Sequence, residues 1–327
     1  MTQEARRGRT WPAIRLLVSV ALLVLVLGRV DMARAAQVLA GARVELIVLT
    51  VVVGWVGRAF AALRWYILVR GMNRRVSYLR LLRLTFIGMF FQFLPAGSVA
   101  VEVGRIYGMS RATSDPAASF ASVLVERVLG LAALIVLALV GLALAPPGVP
   151  PLLGRLAWVG FAGLLAASWA AMSVSARGLL RRMLAAARLE SVARRLGRVY
   201  ERLDALRSRP DLLALSLLAA LLNTTFRILP AFLLARSLQI DVSMVQLMIV
   251  VPIIVFAAQI PVSAGGLGVR EVGFVALLGM IGVPASDAVV LSLLLAATIL
   301  VVSLPGAWMY ARGGFGDPEA NDAAEAV

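Results

Sequence analysis

Arg58, Arg64, Glu102, Arg105, Glu126, Arg127, Asn223, Arg227, Arg270 and Glu271 interrupt stretches of sequence that are otherwise apolar. A guanidinium is always charged and presents a planar fork of donors, so it binds phosphate or carboxylate. A carboxylate in the same surroundings pairs with such a cation or carries a proton. Other chemistry is scarce. The chain has no cysteine and no histidine, and all 32 basic residues are arginine. A thiolate nucleophile, an imidazole base and a Schiff-base lysine are therefore ruled out. No catalytic residue, metal or cofactor is expected, and the chain is not expected to be an enzyme. Recognition of an anion by arginine is the chemistry the residues favour.

The elements that must position these side chains are membrane helices. Of 327 residues, 61% are hydrophobic, and mean hydropathy is +0.93. Soluble domains are about 45–50% apolar. Several apolar runs reach the roughly 20 residues that cross a bilayer. The spacing predicts full spans near 14–30, 44–69, 117–144, 155–175, 212–238 and 287–310. Two further apolar regions, 84–111 and 246–283, are broken internally, by LPAGSV and by PVSAGGLG. The N-terminal run has some features of a secretory signal, with Ala33-Arg34-Ala35 as a cleavage site, but reads better as a retained first helix.

The net charge of +15 lies in short segments beside the spans, which argues for cytoplasmic loops and against nucleic acid. Arg6, Arg7, Arg9 and Arg15 precede the first span, and Arg70, Arg74, Arg75, Arg80 and Arg83 follow the second. The connection 176–211 holds ten arginines against four acids, with apolar positions at helical spacing. It reads as an amphipathic helix on the inner leaflet or a docking helix for a partner. Placing these segments inside puts both termini in the cytoplasm. Residues 84–111 then begin and end inside, and residues 246–283 begin and end outside. Each is a re-entrant or broken helical hairpin, or a pair of short spans. The expected fold is an all-α polytopic membrane protein of six full spans and two hairpins. Residues 1–145 and 146–312 form an inverted-topology repeat, the design of many secondary transporters. Residues 313–327 read as a disordered acidic tail.

Irregular backbone at membrane depth is tolerated only where protein or water surrounds it. In the second break Gly265, Gly266 and Gly268 allow a tight turn, and Ser263 can cap the next helix. A helix starting near Gly268 would carry Arg270 and Glu271 in its first turn. Glu271 suits the positive helix end and Arg270 does not, unless an anion binds there. The other reading pairs Arg270 with a carboxylate of the first hairpin. The first break offers Ser98, then Glu102 and Arg105 on one helix face, either as a counterpart site or as a local ion pair. Arg227 and Asn223 lie mid-span, where charge usually faces the bundle interior. Arg64 either pairs inward or snorkels. Glu126 and Arg127 point in different directions, and Glu126 is expected to meet an arginine of a hairpin. Trp55, Trp65, Trp158, Trp169 and Trp308 read as interface belts.

PVSAGGLGVREVGFVALLGMIGVP resembles the signature of the flippase-like integral membrane family, also called the lysylphosphatidylglycerol synthase transmembrane region family. LRWYIL, FIGMFFQFLPAGS with Glu102 and Arg105, and SVLVERVLGL with Glu126 and Arg127 are similar to its other segments. The likeness spans about residues 14 to 312. Ala100, Val101 and Glu102 stand where the family often has Gly-Gly-Asp. Ala296-Ala297 stand where many members carry an arginine. The resemblance implies lipid handling. In the namesake proteins this region is fused to a soluble aminoacyltransferase; the sequence to Val327 lacks one, so lysyl-lipid synthesis is not expected.

The leading expectation is a lipid flippase, or a transporter of a lipid-linked intermediate, in a bacterial inner membrane. Arg105, Arg270 and Arg227 would contact an anionic head group, with Ser98, Ser263, Gly265, Gly266, Gly268 and Asn223 around it. Glu102, Glu126, Glu271, Arg127 and Arg64 would form ion pairs or carry protons. A membrane-embedded lipid-phosphate transferase is the second expectation, and product formed in liposomes would mark it. A non-transporting partner of a glycosyltransferase is the third, marked by co-purification through 176–211. Membrane lipids are the expected partners; a homo-oligomer or a lipid-biosynthesis partner is compatible with the sequence.

Overall fold

The computed structural model describes residues 19, 21, 24, 28, 31–92, 97–145, 150–172, 190–258, 266 and 268–315. Those residues form helices and the turns between them, with no strand among them. In chain order the helices are α1 (Met32–Ala40), α2 (Val44–Gly71), α3 (Tyr78–Phe91), α4 (Gly97–Thr113), α5 (Pro116–Ala143) and α6 (Pro151–Met172). They continue as α7 (Glu190–Arg207), α8 (Pro210–Ser237), α9 (Met244–Ala258), α10 (Val269–Gly279) and α11 (Ala285–Ala311).

Local chemistry explains many of the starts. Asp31 caps α1 by accepting from the amides of Ala33 and Arg34. Ser77 caps α3 through the amide of Arg80. Asp115 caps α5 through the amide of Ala118, and Pro116 follows at the first helical position, where a missing N–H costs nothing. Pro210 starts α8 in the same way. By length and composition, α2, α5, α8 and α11 are long and apolar enough to cross a membrane. The arms around the two breaks are short. At 1.5 Å per residue, the 14 residues of α3 and the 15 of α9 extend about 21–22 Å, less than the roughly 30 Å hydrocarbon core.

The helices pack around a central pair, α2 and α8, which run along each other. Gly57 admits Phe226 to this contact: a Cβ there would lie 3.1 Å from the Phe226 Cβ. The rings of Phe60 and Phe226 meet at 5.1 Å. Around this pair α3 packs on α11 and α9 packs on α5. Both crossings use a glycine. A Cβ on Gly306 would come within 2.0 Å of the Phe86 carbonyl oxygen, and one on Gly141 within 3.1 Å of the Val245 carbonyl oxygen. The largest buried apolar cluster joins α8, α9, α10 and α11; a second joins α2, α3, α4 and α5 around Trp65, Leu81 and Met109.

Helices α2, α5, α6, α8 and α11 occupy the predicted spans from the second onward, with ends shifted by a few residues. The predicted first span, 14–30, lies almost wholly outside the described residues. Helix α1 falls in a segment expected to be a connection. Of the connection 176–211, residues 190–207 are helical. Residues 313–315, counted with the tail in the sequence, fold back onto the first broken region. There the Phe315 ring packs on Phe91, Tyr107 and Tyr310.

Candidate functional site

Glu126, on α5, is the hub of the charged groups. It is 3% exposed, in a helix that is apolar or small around it apart from Arg127. Arg64 of α2 donates to one carboxylate oxygen at 2.6 Å, and Arg105 of α4 donates to the other at 2.5 Å. Space for these side chains comes from glycine. A Cβ on Gly130, one turn after Glu126, would lie 3.3 Å from an Arg64 nitrogen. A Cβ on Gly88 of α3 would lie 3.0 Å from Arg105 Cγ. The Arg105 guanidinium also lies 3.9 Å over the Trp65 ring.

Trp65 corrects an expectation. It is fully buried, and its indole N–H donates to Ser122 Oγ at 3.0 Å, so it supports the site from within and does not sit in an interface belt. Trp55, Trp158 and Trp308 are exposed, as belt residues are. Arg64 does not snorkel, being 7% exposed and paired. Glu102 and Arg105 do not pair with each other. Both reach α5 instead, where Arg127 bonds Glu102 and Glu126 takes Arg105. The divergent directions of Glu126 and Arg127 on their helix are met by the two directions of Arg105 and Glu102 on α4.

Three more arginines have no such partner. Arg58 lies at the middle of α2, Arg227 one turn past the middle of α8, and Arg270 in the first turn of α10. Each is half-buried, and none forms an ion pair with a described carboxylate. Arg58 and Arg227 are close enough to act on each other and on the hub, and Arg270 is close enough to act on Arg227. Arg58 has Arg64, Arg105 and Glu126 as charged neighbours, and Arg227 has Arg58, Arg64, Arg270 and Glu126. Asn223 stands one turn before Arg227, on the same face. It is 3% exposed, and its side-chain oxygen has no donor. The Nε atoms of Arg58, Arg64 and Arg105 are also buried without an acceptor.

The second break ends in two residues with positive φ, Gly266 at 80° and Gly268 at 82°, a conformation that favours glycine. Glu271 is fully buried, and its carboxylate accepts from the Gly268 amide at 2.6 Å and from Ser292 Oγ at 3.4 Å. It thus closes the start of α10 and ties it to α11. This leaves Arg270, beside it, with the Glu271 charge as its near neighbour. Ser263 and Gly265 lie outside the described residues. Ser98 belongs to the first turn of α4, but its side chain also lies outside them.

The arrangement gathers five guanidiniums, Arg58, Arg64, Arg105, Arg227 and Arg270, around two carboxylates, Glu126 and Glu271; five against two leaves three positive charges unbalanced. Its groups come from both halves of the chain. Sequence reasoning saw Arg58 only as a charge within a span. It passed over Trp65, Ser122, Gly88 and Gly130 as site residues altogether. Only the position of Arg58 at the centre of an apolar run was a usable signal.

A model for the family described as the lysylphosphatidylglycerol synthase TM region matches residues 13–306. No curated protein and no solved structure matches the chain.

Proposed function

The chain belongs to the lysylphosphatidylglycerol synthase transmembrane region family and is a multi-pass helical membrane protein, and from that premise we propose that it moves an anionic lipid or lipid-linked intermediate between the leaflets of a bacterial inner membrane. One observation carries the reading: Arg58, Arg227 and Arg270 form no ion pair with a described carboxylate, and Arg58 and Arg227 stand near the Arg64–Glu126–Arg105 group, with Arg270 near Arg227. A charge at the centre of a span costs about 2.5–3.5 kcal/mol on insertion scales. Ion pairing offsets that cost for Arg64 and Arg105 only. An anionic head group offsets it for the other three.

Two helical hairpins, α3–α4 and α9–α10, dip toward this group from opposite sides. The shortness of their arms supports re-entry, as does the glycine-rich start of α10. Arg105 and Arg270 meet the head group from the two hairpins, and Arg58 and Arg227 meet it from the central pair. Glu126 holds Arg64 and Arg105 when the site is empty. The acyl or prenyl chains stay in the bilayer while one half rocks against the other.

An inverted repeat is supported by an exchange of packing partners. Substituting α2 for α8, α3 for α9, α4 for α10 and α5 for α11 turns each major contact into another: α3 on α11 becomes α9 on α5, and α4 on α5 becomes α10 on α11. Phe60 stands 16 residues after Val44 and Phe226 stands 16 residues after Pro210, and they touch. The short helices before the central pair follow the same exchange. Arg34 of α1 bonds Asp287 in the first turn of α11, at 2.9 and 3.1 Å. Arg202 of α7 bonds Asp115, the cap of α5, at 2.9 Å. With the basic segments in the cytoplasm, α7 lies at the inner face, α1 at the outer face, and both termini inside.

The test is Arg270→Ala in a reconstituted translocation assay, with Arg270→Lys as the charge-preserving control. Loss of translocation in the first and partial retention in the second is the expected result. Wild-type rates in the folded alanine variant remove Arg270 from the mechanism.

A further inference from the structure

We propose that the head group carries at least two negative charges on phosphate, as a phosphomonoester or diphosphate end does, and not the single charge of a phosphodiester. This rests on the transport reading for its claim that the ligand is a lipid. The charge class rests on the balance of the site. Five guanidiniums face two carboxylates, and one of those, Glu271, is already engaged by the Gly268 amide and Ser292. Arginine does not lose its proton in proteins, so the excess of three charges is not removed by titration. A diester would leave about two of them unbalanced. A phosphomonoester supplies about 1.5 to 2 negative charges at neutral pH, and a diphosphate more.

The donor inventory points the same way. Arg58 and Arg227 flank the close contact of Gly57 with Phe226, Arg64 and Arg105 share Glu126, and each of these arginines has others of the set as charged neighbours, so the cations form one group. Buried Nε atoms on Arg58, Arg64 and Arg105 have no acceptor. Arg64 itself is more than nine-tenths buried. A terminal phosphate offers three oxygens of high charge density to such a group, whereas a diester offers two. Asn223 adds to the demand. Its buried side chain has an oxygen with no donor, and turning the amide over presents N–H groups to the ligand from the same helix face as Arg227.

The experiment compares phosphatidic acid, a monoester, with phosphatidylglycerol, a diester, in two readouts on the full chain. The first is thermal stabilisation of the detergent-solubilised protein by each lipid, with inorganic diphosphate as the soluble arm. The second is translocation of fluorescent forms of both lipids in vesicles of phosphatidylcholine. We expect phosphatidic acid to be favoured about tenfold in each readout. Its advantage should grow as pH rises through about 6, where the second phosphate proton leaves. Arg58→Gln and Arg227→Gln should narrow that advantage, and Arg58→Lys and Arg227→Lys should keep most of it.

Equal treatment of the two lipids in both readouts overturns the charge class while leaving transport standing. Preferential binding of phosphatidic acid with no translocation of either lipid supports the charge class and overturns the transport reading. Stabilisation by inorganic diphosphate with no further gain from phosphatidic acid overturns the lipid source.

Discussion

Arg105 reaches Glu126 across 2.5 Å, tying the helix after the first break to the span that comes next in the chain. The same carboxylate holds Arg64 at 2.6 Å, so one buried anion is shared by two cations from two other helices. Removing it leaves both guanidiniums buried without a counter-charge. Glu126→Gln should therefore destabilise the protein by about 3–5 kcal/mol. Thermal unfolding in detergent measures this. A double-mutant cycle with Arg64→Gln should show strong coupling, because the second change removes one of the stranded charges.

The unpaired arginines should behave in the opposite way. Arg227 has cationic neighbours in Arg58, Arg64 and Arg270 and no described ion-pair partner. Replacing it with an apolar side chain of similar length removes repulsion and desolvation together. Arg227→Met should raise thermal stability by about 1–3 kcal/mol in the absence of ligand while abolishing lipid translocation. A variant less stable than wild type would mean that Arg227 holds the fold together.

Much of the architecture is legible in the sequence. Long apolar runs mark the four helices long and apolar enough to cross a membrane, because bilayer thickness imposes a length that sequence displays directly. Proline and glycine mark both breaks. Helix α1 escapes because its nine residues, with Arg34 and Gln37 among them, are too few and too polar to read as a membrane span. The pairing of charges is harder. Glu102 and Arg105 stand three positions apart, and local spacing suggests a bond between them. The packing of α4 on α5 gives each a stronger partner 21 to 25 residues away. Trp65 is misplaced by its residue type, which favours interfaces, whereas its burial depends on how α2, α4 and α5 close around it. That Arg58 lacks an ion-pair partner among the described residues is likewise visible only once the other helices are in place.

Asp115 links pH to stability. Burial pushes its carboxyl up, but the Ala118 amide and the guanidiniums of Arg202 and Arg74 outweigh burial and hold it below the ordinary aspartate value. A depressed folded value means stability that is present above the unfolded value, near 4, and lost as pH falls through the lower folded one. Melting temperature in detergent should drop on acidification below about pH 4. Asp115→Asn should flatten that drop and lower the melting temperature at neutral pH by about 2–4 °C. An unchanged profile would contradict the assignment.

The proposed inverted repeat makes a topological prediction. The native chain has no cysteine, so single introduced cysteines report without background. Gln37 on α1 and Glu201 on α7 are both exposed. In intact cells a membrane-impermeant maleimide should label Gln37→Cys and not Glu201→Cys; permeabilised cells should label both. Labelling of both from one side would place α1 and α7 on the same face and end the repeat.

Translocation itself is the most direct measurement. Purified protein in vesicles should move a fluorescent phosphatidic acid between leaflets faster than protein-free vesicles do, with Arg58→Gln and Arg227→Gln reducing the rate by about tenfold or more at a thermal stability no lower than that of the wild type. Wild-type vesicles no faster than empty ones, or both variants at the full wild-type rate, would contradict the account.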